Sequence, residues 1–197
     1  MKGPLHMRFL LSAKTIEQLA PTKTEVAVVG RSNVGKSLLI NALGGSGKLA
    51  LVSKTPGRTR LLNQFALGES ATVVDMPGYG YAAASGSERA SWQRMAERYL
   101  LERDELTRIM VLVDGEIGPT KLDVQMLDWL RSYDRPYAIV ATKHDKVKSS
   151  QRDKRKRELA AGCGVDPGAV VWVSAAKGTG LDRLRGLVLQ WLDRSAG

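Results

Sequence analysis

Gly30-Arg31-Ser32-Asn33-Val34-Gly35-Lys36-Ser37 follows the apolar run Val26-Ala27-Val28-Val29 and leads into Leu38-Leu39-Ile40-Asn41-Ala42-Leu43. That order reads as strand, glycine-bounded loop, helix. The loop fits G-x-x-x-x-G-K-[ST], in which the glycines let consecutive backbone N–H groups turn inward around a β-phosphate and the helix N-terminus adds partial positive charge. Lys36 is placed to reach the β- and γ-phosphates as a mobile point charge. The Ser37 hydroxyl suits one position on an octahedral Mg²⁺ shared with those phosphates.

Outward from this loop, strand and helix signals alternate. Gly44, Gly45 and Gly47 end the first helix, and residues 49–60, turn-rich around Pro56-Gly57, read as a mobile loop. Leu61 to Leu67 and Thr72 to Val74 are strand-like runs joined by Gly68-Glu69-Ser70, a connection suited to an antiparallel hairpin. A second glycine-rich loop, Pro77 to Gly86, precedes a helix over Ser87 to Arg103 with Trp92, Met95, Ala96, Tyr99 and Leu100 on one side. Residues 78–87 are expected to be mobile without ligand. Strands then follow at 109–113, 137–141 and 170–173, with helices at 122–130, 150–160 and 181–192. This pattern calls for a mostly parallel, six-stranded sheet with one antiparallel edge strand and helices on both faces. Residues 1–24 read as an N-terminal extension packed on the core, and 25–197 as a single domain.

Bulk composition narrows the function classes. No apolar run approaches the roughly 20 residues needed to cross a bilayer, and the first residues lack the features of a cleaved leader. A single cysteine, Cys163, allows no internal disulfide, so the cytoplasm is the expected compartment. With 30 Lys and Arg against 20 Asp and Glu, the formal net charge is +10. Such a surplus attracts polyanions through long-range, salt-sensitive forces.

Ligands of doubly wound sheets collect outside the C-terminal strand ends, and the remaining polar signals fall there. Asp75 ends a strand and opens Asp75-Met76-Pro77-Gly78. Its carboxylate can hold Mg²⁺ through water, and the Gly78 N–H can meet a γ-phosphate. Thr142-Lys143-His144-Asp145 ends another strand. The Asp145 carboxylate can accept from the N1–H and exocyclic amine of guanine, donors that adenine lacks, which favours GTP over ATP. The Lys143 stem can pack along the base, and His144 is expected to face solvent. Val173 and Ser174-Ala175-Ala176, after the last strand, can offer backbone N–H groups to the guanine carbonyl.

The ordered set Gly30-x4-Gly35-Lys36-Ser37, Thr59, Asp75-x-x-Gly78, Thr142-Lys143-x-Asp145 and Ser174-Ala175-Ala176 resembles the translation-factor-like GTPases. Three stretches are similar to the EngB (YihA/YsxC) family within the TrmE-Era-EngA-EngB-Septin-like group: Gly30 to Ser37, Ser53-Lys54-Thr55-Pro56-Gly57-Arg58-Thr59, and Asp75-Met76-Pro77-Gly78-Tyr79-Gly80-Tyr81-Ala82. The resemblance covers nearly the whole chain and implies a P-loop NTPase fold. It implies slow GTP hydrolysis in a switch protein that acts in assembly of the large ribosomal subunit and is needed for normal cell division and septation. The alternative is a GTP-dependent switch at the membrane or division site.

Carried over residue by residue, the resemblance places Thr59 on Mg²⁺ beside Ser37, with Thr55 as a rival, and nucleotide contacts on Gly57, Arg58, Thr59, Arg60 and Leu61. Lys36, Thr59 and Gly78 are the implied catalytic set. A loop held only by γ-phosphate and Mg²⁺ is released on hydrolysis, which makes a two-state switch. Tyr79 stands where Ras-like proteins place a water-orienting glutamine, so unassisted turnover should be slow. Asn33 matches the asparagine by which related GTPases hold K⁺ near the phosphates. The basic run Lys146, Lys148, Arg152, Lys154, Arg155, Lys156 and Arg157 becomes a candidate rRNA surface, reading charge and shape within 146–157. A monomer is expected. Trp129 and Trp191 read as core rim, Trp172 as packed, and Cys163 as no nucleophile. Tyr79 and Tyr81 lie in a loop that can present or withdraw a partner surface.

Overall fold

Local sequence explains the centre of the sheet. In β2 (Thr24–Gly30), buried along its whole length, Val26 and Val28 point to one face while Ala27 and Val29 point to the other. The same alternation divides β5 (Leu106–Asp114) into Ile109, Val111 and Val113 against Met110 and Leu112. A strand apolar on both faces must be covered on both, and two separate hydrophobic clusters do so. The computed structural model describes residues 3–47, 49–50, 61–79 and 86–193, apart from the side chains of 86–89 and 92. The loop expected at 49–60 lies outside these from residue 51 onward, as do Tyr81 and the side chain of Trp92.

Around β2 and β5 stand α1 (Lys36–Gly44), β3 (Leu62–Leu67), β4 (Ala71–Asp75), α2 (Gly86–Glu102), α3 (Lys121–Ser132), β6 (Tyr137–Thr142), α4 (Arg152–Gly162), β7 (Val170–Trp172) and α5 (Leu181–Leu192). One cluster takes Tyr99 and Leu100 of α2, Leu127 and Leu130 of α3, and Leu159 and Ala160 of α4. The other takes Leu39, Ile40 and Leu43 of α1 with Leu184 and Val188 of α5. Trp129 and Trp191 pack at their margins, as expected.

The sheet has seven strands, not six. Arg8–Ala13 forms β1 and pairs antiparallel with β3, giving the order β1-β3-β4-β2-β5-β6-β7. Pairs β4·β2, β2·β5, β5·β6 and β6·β7 are parallel, and β3·β4 is antiparallel. The short N-terminal piece gave a weak signal because β1 lies at an edge, and its side chains before the buried Ala13 are exposed or half-buried without clean alternation. The segment is tied down by other means. Gln64 of β3 accepts from the Ala20 N–H and donates to the Ala20 carbonyl, while Leu5 and Met7 are buried beside α1.

The far end of the sheet from the C-terminal strand ends holds a buried polar knot. Glu25, fully buried, accepts from Tyr99 Oη at 2.8 Å, Arg103 Nε at 3.2 Å, Thr72 Oγ1 at 2.7 Å and Gln64 Nε2 at 3.1 Å. These bonds join β2, β3 and β4 to α2 and the residue following it.

Candidate functional site

The parallel strands β2, β4, β5, β6 and β7 bring their C-terminal ends to one rim, which carries Gly30, Asp75, Asp114, Thr142 and, just past β7, Val173 and Ser174. The phosphate-loop residues lie where β2 gives way to α1. Asn33 (φ 65°) and Gly35 (φ 102°) both take left-handed backbone, with Gly35 as the N-cap of a helix that begins at Lys36. Gly30 must be small, since a Cβ there would stand 2.9 Å from Val34 Cγ1 and 3.0 Å from Leu112 Cβ. Val34 is buried, Asn33 is exposed, and Arg31, Ser32, Lys36 and Ser37 are half-buried at the rim. The result is an exposed turn on a rigid seat.

Asp75 and Gly78 reach this turn from β4. Asp75 is 2% exposed, and its Oδ1 is buried without a hydrogen-bond partner. Burial pushes its carboxyl up to about 6 from an ordinary 3.8, against the attraction of Lys36. Such an orphaned oxygen beside a cationic loop fits a hydrated Mg²⁺. Among the described residues no group of three or more His, Cys, Asp or Glu could hold a metal. Met76 and Pro77 connect Asp75 to Gly78, whose hypothetical Cβ would lie 2.9 Å from the Ser32 backbone nitrogen. Tyr79 is withdrawn, with its ring buried and its hydroxyl donating to Asp123 Oδ1 at 2.8 Å. Gly57, Arg58, Thr59 and Arg60, like Thr55, fall outside the described residues, so only Leu61 of that expected group is placed, half-buried before β3.

Polar bonds to three other segments hold Thr142, Lys143 and Asp145. Thr142 Oγ1 donates to the Val34 carbonyl at 2.7 Å, joining the end of β6 to the phosphate loop. Lys143 takes left-handed backbone (φ 56°) and its Nζ lies 2.7 Å from Asp114 Oδ2. Asp145 Oδ1 accepts from Ser174 Oγ at 2.6 Å, and this bond first of all holds the Asp145 carboxyl below its usual range. Ser174 Oγ in turn accepts from the Lys177 N–H at 3.1 Å. The ionised Asp145 keeps lone pairs for two further donors, as guanine recognition requires. Ala175 and Ala176 follow in the turn before α5.

His144 departs from expectation. It is half-buried against Trp172, with ring centroids 5.5 Å apart, and Nε2 is buried without a partner. Its backbone N–H donates to the Val173 carbonyl, which holds His144 beside the end of β7, where its ring packs on Trp172 instead of standing in water. Burial, then Arg152 and Lys156, hold its pKa below the usual value. Two further residues escaped sequence reasoning. Asp114, which anchors Lys143, ends its strand as Asp75 does but is followed at once by Gly115 instead of by the two-residue spacing to Gly78. Asp123 is announced by Thr120-Lys121-Leu122-Asp123, a reciprocal cap on α3. Cys163 is buried, and burial pushes its thiol up to about 11, which suits no nucleophile.

Comparison with known proteins finds relatives over most of the chain. A family model described as "50S ribosome-binding GTPase" matches residues 25–143. The chain is 43% identical over 187 residues to a "Probable GTP-binding protein EngB" of Pelotomaculum thermopropionicum, covering 93% of each. It is 50% identical over 138 residues to the protein of that name from Thermotoga maritima, covering 70% of each. The crystal structure of a probable GTP-binding protein engB superposes with a TM-score of 0.70 at 24% identity, covering 86% of this chain and 98% of that one, a likeness of fold. Era in complex with MgGDPNP and a fragment of 16S ribosomal RNA gives 0.69 at 26% identity, covering 89% of this chain and 58% of that one.

Proposed function

The chain belongs to the EngB family of GTP-binding proteins, a GTPase family, and on that premise we propose that it is a GTP-switched factor acting on precursors of the large ribosomal subunit in the cytoplasm. Normal cell division and septation then depend on it through the supply of ribosomes. The observation that carries the ribosomal part is the exposed basic face beside the guanine-reading box. Lys146, Lys148, Lys154 and Arg157 are exposed, and Arg152, Arg155 and Lys156 half-buried. The pairs Lys154–Glu158 at 3.8 Å and Arg155–Glu158 at 3.6 Å are long, and one carboxylate serves both cations. Lys146, Lys148 and Arg155 also line an open groove with Glu116, Val147 and Gln151. Such a surface suits rRNA phosphates.

In this reading residues 25–197 act as one GTP-binding domain with 1–24 packed on it, as a monomer. Backbone N–H groups of Asn33, Gly35, Lys36 and Ser37 and the Lys36 ammonium hold the β- and γ-phosphates, the Ser32 and Val34 N–H groups being given to the Tyr79 and Arg31 carbonyls. Ser37, Thr59 and, through water, Asp75 hold Mg²⁺, which supplies neutralisation of phosphate charge when bound. Gly78 donates its N–H to the γ-phosphate. Thr142, Lys143 and Asp145 hold the base together with the N–H groups of Ala175 and Ala176; those of Val173 and Ser174, expected to join them, are given to the Ala141 and Thr179 carbonyls. Water attacks the γ-phosphorus in line as the bond to the β-phosphate oxygen breaks, giving GDP and phosphate, with no side chain among the described residues placed as general base, and turnover is slow. Asn33, exposed at the loop tip, is the residue available to K⁺; equal turnover in sodium and potassium, with and without ribosomal particles, refutes that role.

Co-sedimentation with large subunits and their precursors, in GDP, GTP and a non-hydrolysable analogue over a salt series, tests the proposal. Binding that needs the γ-phosphate, weakens with salt and falls on charge reversal at Arg155 and Arg157 supports it. Equal binding in all nucleotide states, or none, refutes it and turns attention to anionic lipid, checked by liposome flotation.

A further inference from the structure

We propose that Tyr79 and Asp123 form a positioning pair that seats the Gly78 loop on the phosphate loop and ties it to the start of α3. Tyr79 is fastened at both backbone groups. Its N–H donates to the Gly30 carbonyl at 3.2 Å, and its carbonyl accepts from the Ser32 N–H at 3.1 Å, so that Arg31 and Tyr79 form an isolated parallel bridge. Its side chain runs the other way, with only 8% of the residue exposed, and the hydroxyl donates to Asp123 Oδ1 at 2.8 Å. Asp123 is itself immobilised. It is 1% exposed, and its Oδ2 accepts from the Thr120 N–H at 2.8 Å and Thr120 Oγ1 at 2.7 Å within the cap of α3. A carboxylate in the first turn of a helix is favoured by the helix dipole, and a hydroxyl bonded to it makes a charge-assisted bond, stronger than one between neutral groups.

The consequence falls on Gly78. Its neighbour is held from two sides, so its own backbone stays at the Ser32 turn, where an added Cβ would already be 2.9 Å from Ser32 N. The tyrosine that replaces a water-orienting amide is therefore turned away from the phosphates and acts through the backbone beside it. Because the pair anchors α3, the γ-phosphate contact and the cap of α3 are one mechanical unit. The inference rests on the GTPase reading, and it separates from that reading because GDP lacks the γ-phosphate that Gly78 meets.

The test is a double-mutant cycle with Tyr79→Phe and Asp123→Asn, reading affinities for GDP and for a non-hydrolysable GTP analogue, with single-turnover hydrolysis. Tyr79→Phe should leave GDP affinity at the parental level and weaken the analogue by about tenfold, the worth of one charge-assisted hydrogen bond. The hydrolysis step should slow, and the double variant should be no worse than the weaker single one. An unchanged ratio of GDP to analogue affinity, equal loss for both nucleotides, or additive losses in the double variant overturns the proposal. Should Tyr79→Phe fail to fold, Asp123→Asn gives the same affinity ratio by itself. Failure of the unaltered chain to bind GDP would instead overturn the GTPase reading.

Discussion

Replacing Asp75 with asparagine should stabilise the nucleotide-free protein at neutral pH while removing the carboxylate proposed to hold Mg²⁺ through water. Asp75 is buried, its Oδ1 has no partner, and its carboxyl titrates at about 6 instead of 3.8 because burial outweighs the attraction of Lys36. The folded state thus keeps its proton to higher pH than the unfolded chain. Below pH 3.8 the group is protonated in both states; as pH rises towards about 6 the unfolded chain ionises first, and stability falls. At about 1.36 kcal/mol per pH unit, the whole gap corresponds to about 3 kcal/mol, lost by about pH 7. Asparagine has nearly the same shape and no charge to bury. Scanning calorimetry near neutral pH should therefore show a Tm about 6–12 °C higher for Asp75→Asn, at 2–4 °C per kcal/mol for a chain of this size. Near pH 4 the advantage should vanish. Mg²⁺ with a GTP analogue should raise the Tm of the parent more than that of the variant. A variant less stable than the parent at neutral pH, or one equally advantaged at both pH values, refutes the reasoning.

Asp145→Asn replaces an acceptor with an amide that can donate, so affinity should fall steeply for guanine nucleotides and rise for xanthine nucleotides, which carry a carbonyl in place of the exocyclic amine; competition titration with GDP and XDP checks this. Thr142→Val removes the 2.7 Å bond to the buried Val34 carbonyl and should cost about 1–3 kcal/mol in urea unfolding, with GDP and GTP-analogue affinities weakened alike because the seat common to both is loosened. Glu25→Ala leaves the Arg103 guanidinium, 12% exposed, without its most buried partner and should cost about 3–5 kcal/mol in the same assay. GDP affinity should hardly change under folding conditions, since Glu25 sits at the opposite end of β2 from the phosphate loop.

The phosphate loop, Asp75 to Gly78 and the guanine box were legible because each is a short run whose residue types answer to a ligand's chemistry. The parallel centre of the sheet was legible because β2 and β5 are apolar on both faces, a local property. β1 was readable as a strand-like piece but not as the seventh strand. What brings it into the sheet is pairing with β3 and the clasp of Gln64 on Ala20, a contact across 44 residues. His144 shows the limit of reading a motif by itself, since its backbone is bonded to Val173 and its ring packs on Trp172, neither of which lies near it in sequence.

By itself, then, the sequence determined that the glycine-bounded loop, Asp75 to Gly78 and Thr142 to Asp145 belong at the C-terminal rim of a parallel sheet, because turn chemistry and strand periodicity act over a few neighbouring residues. Only the tertiary structure decided how those residues are held: Thr142 on Val34, Lys143 on Asp114, Ser174 on Asp145 and Tyr79 on Asp123. Each of these bonds joins segments at least 29 residues apart, and a buried polar group takes its partner from whatever the packed fold places beside it.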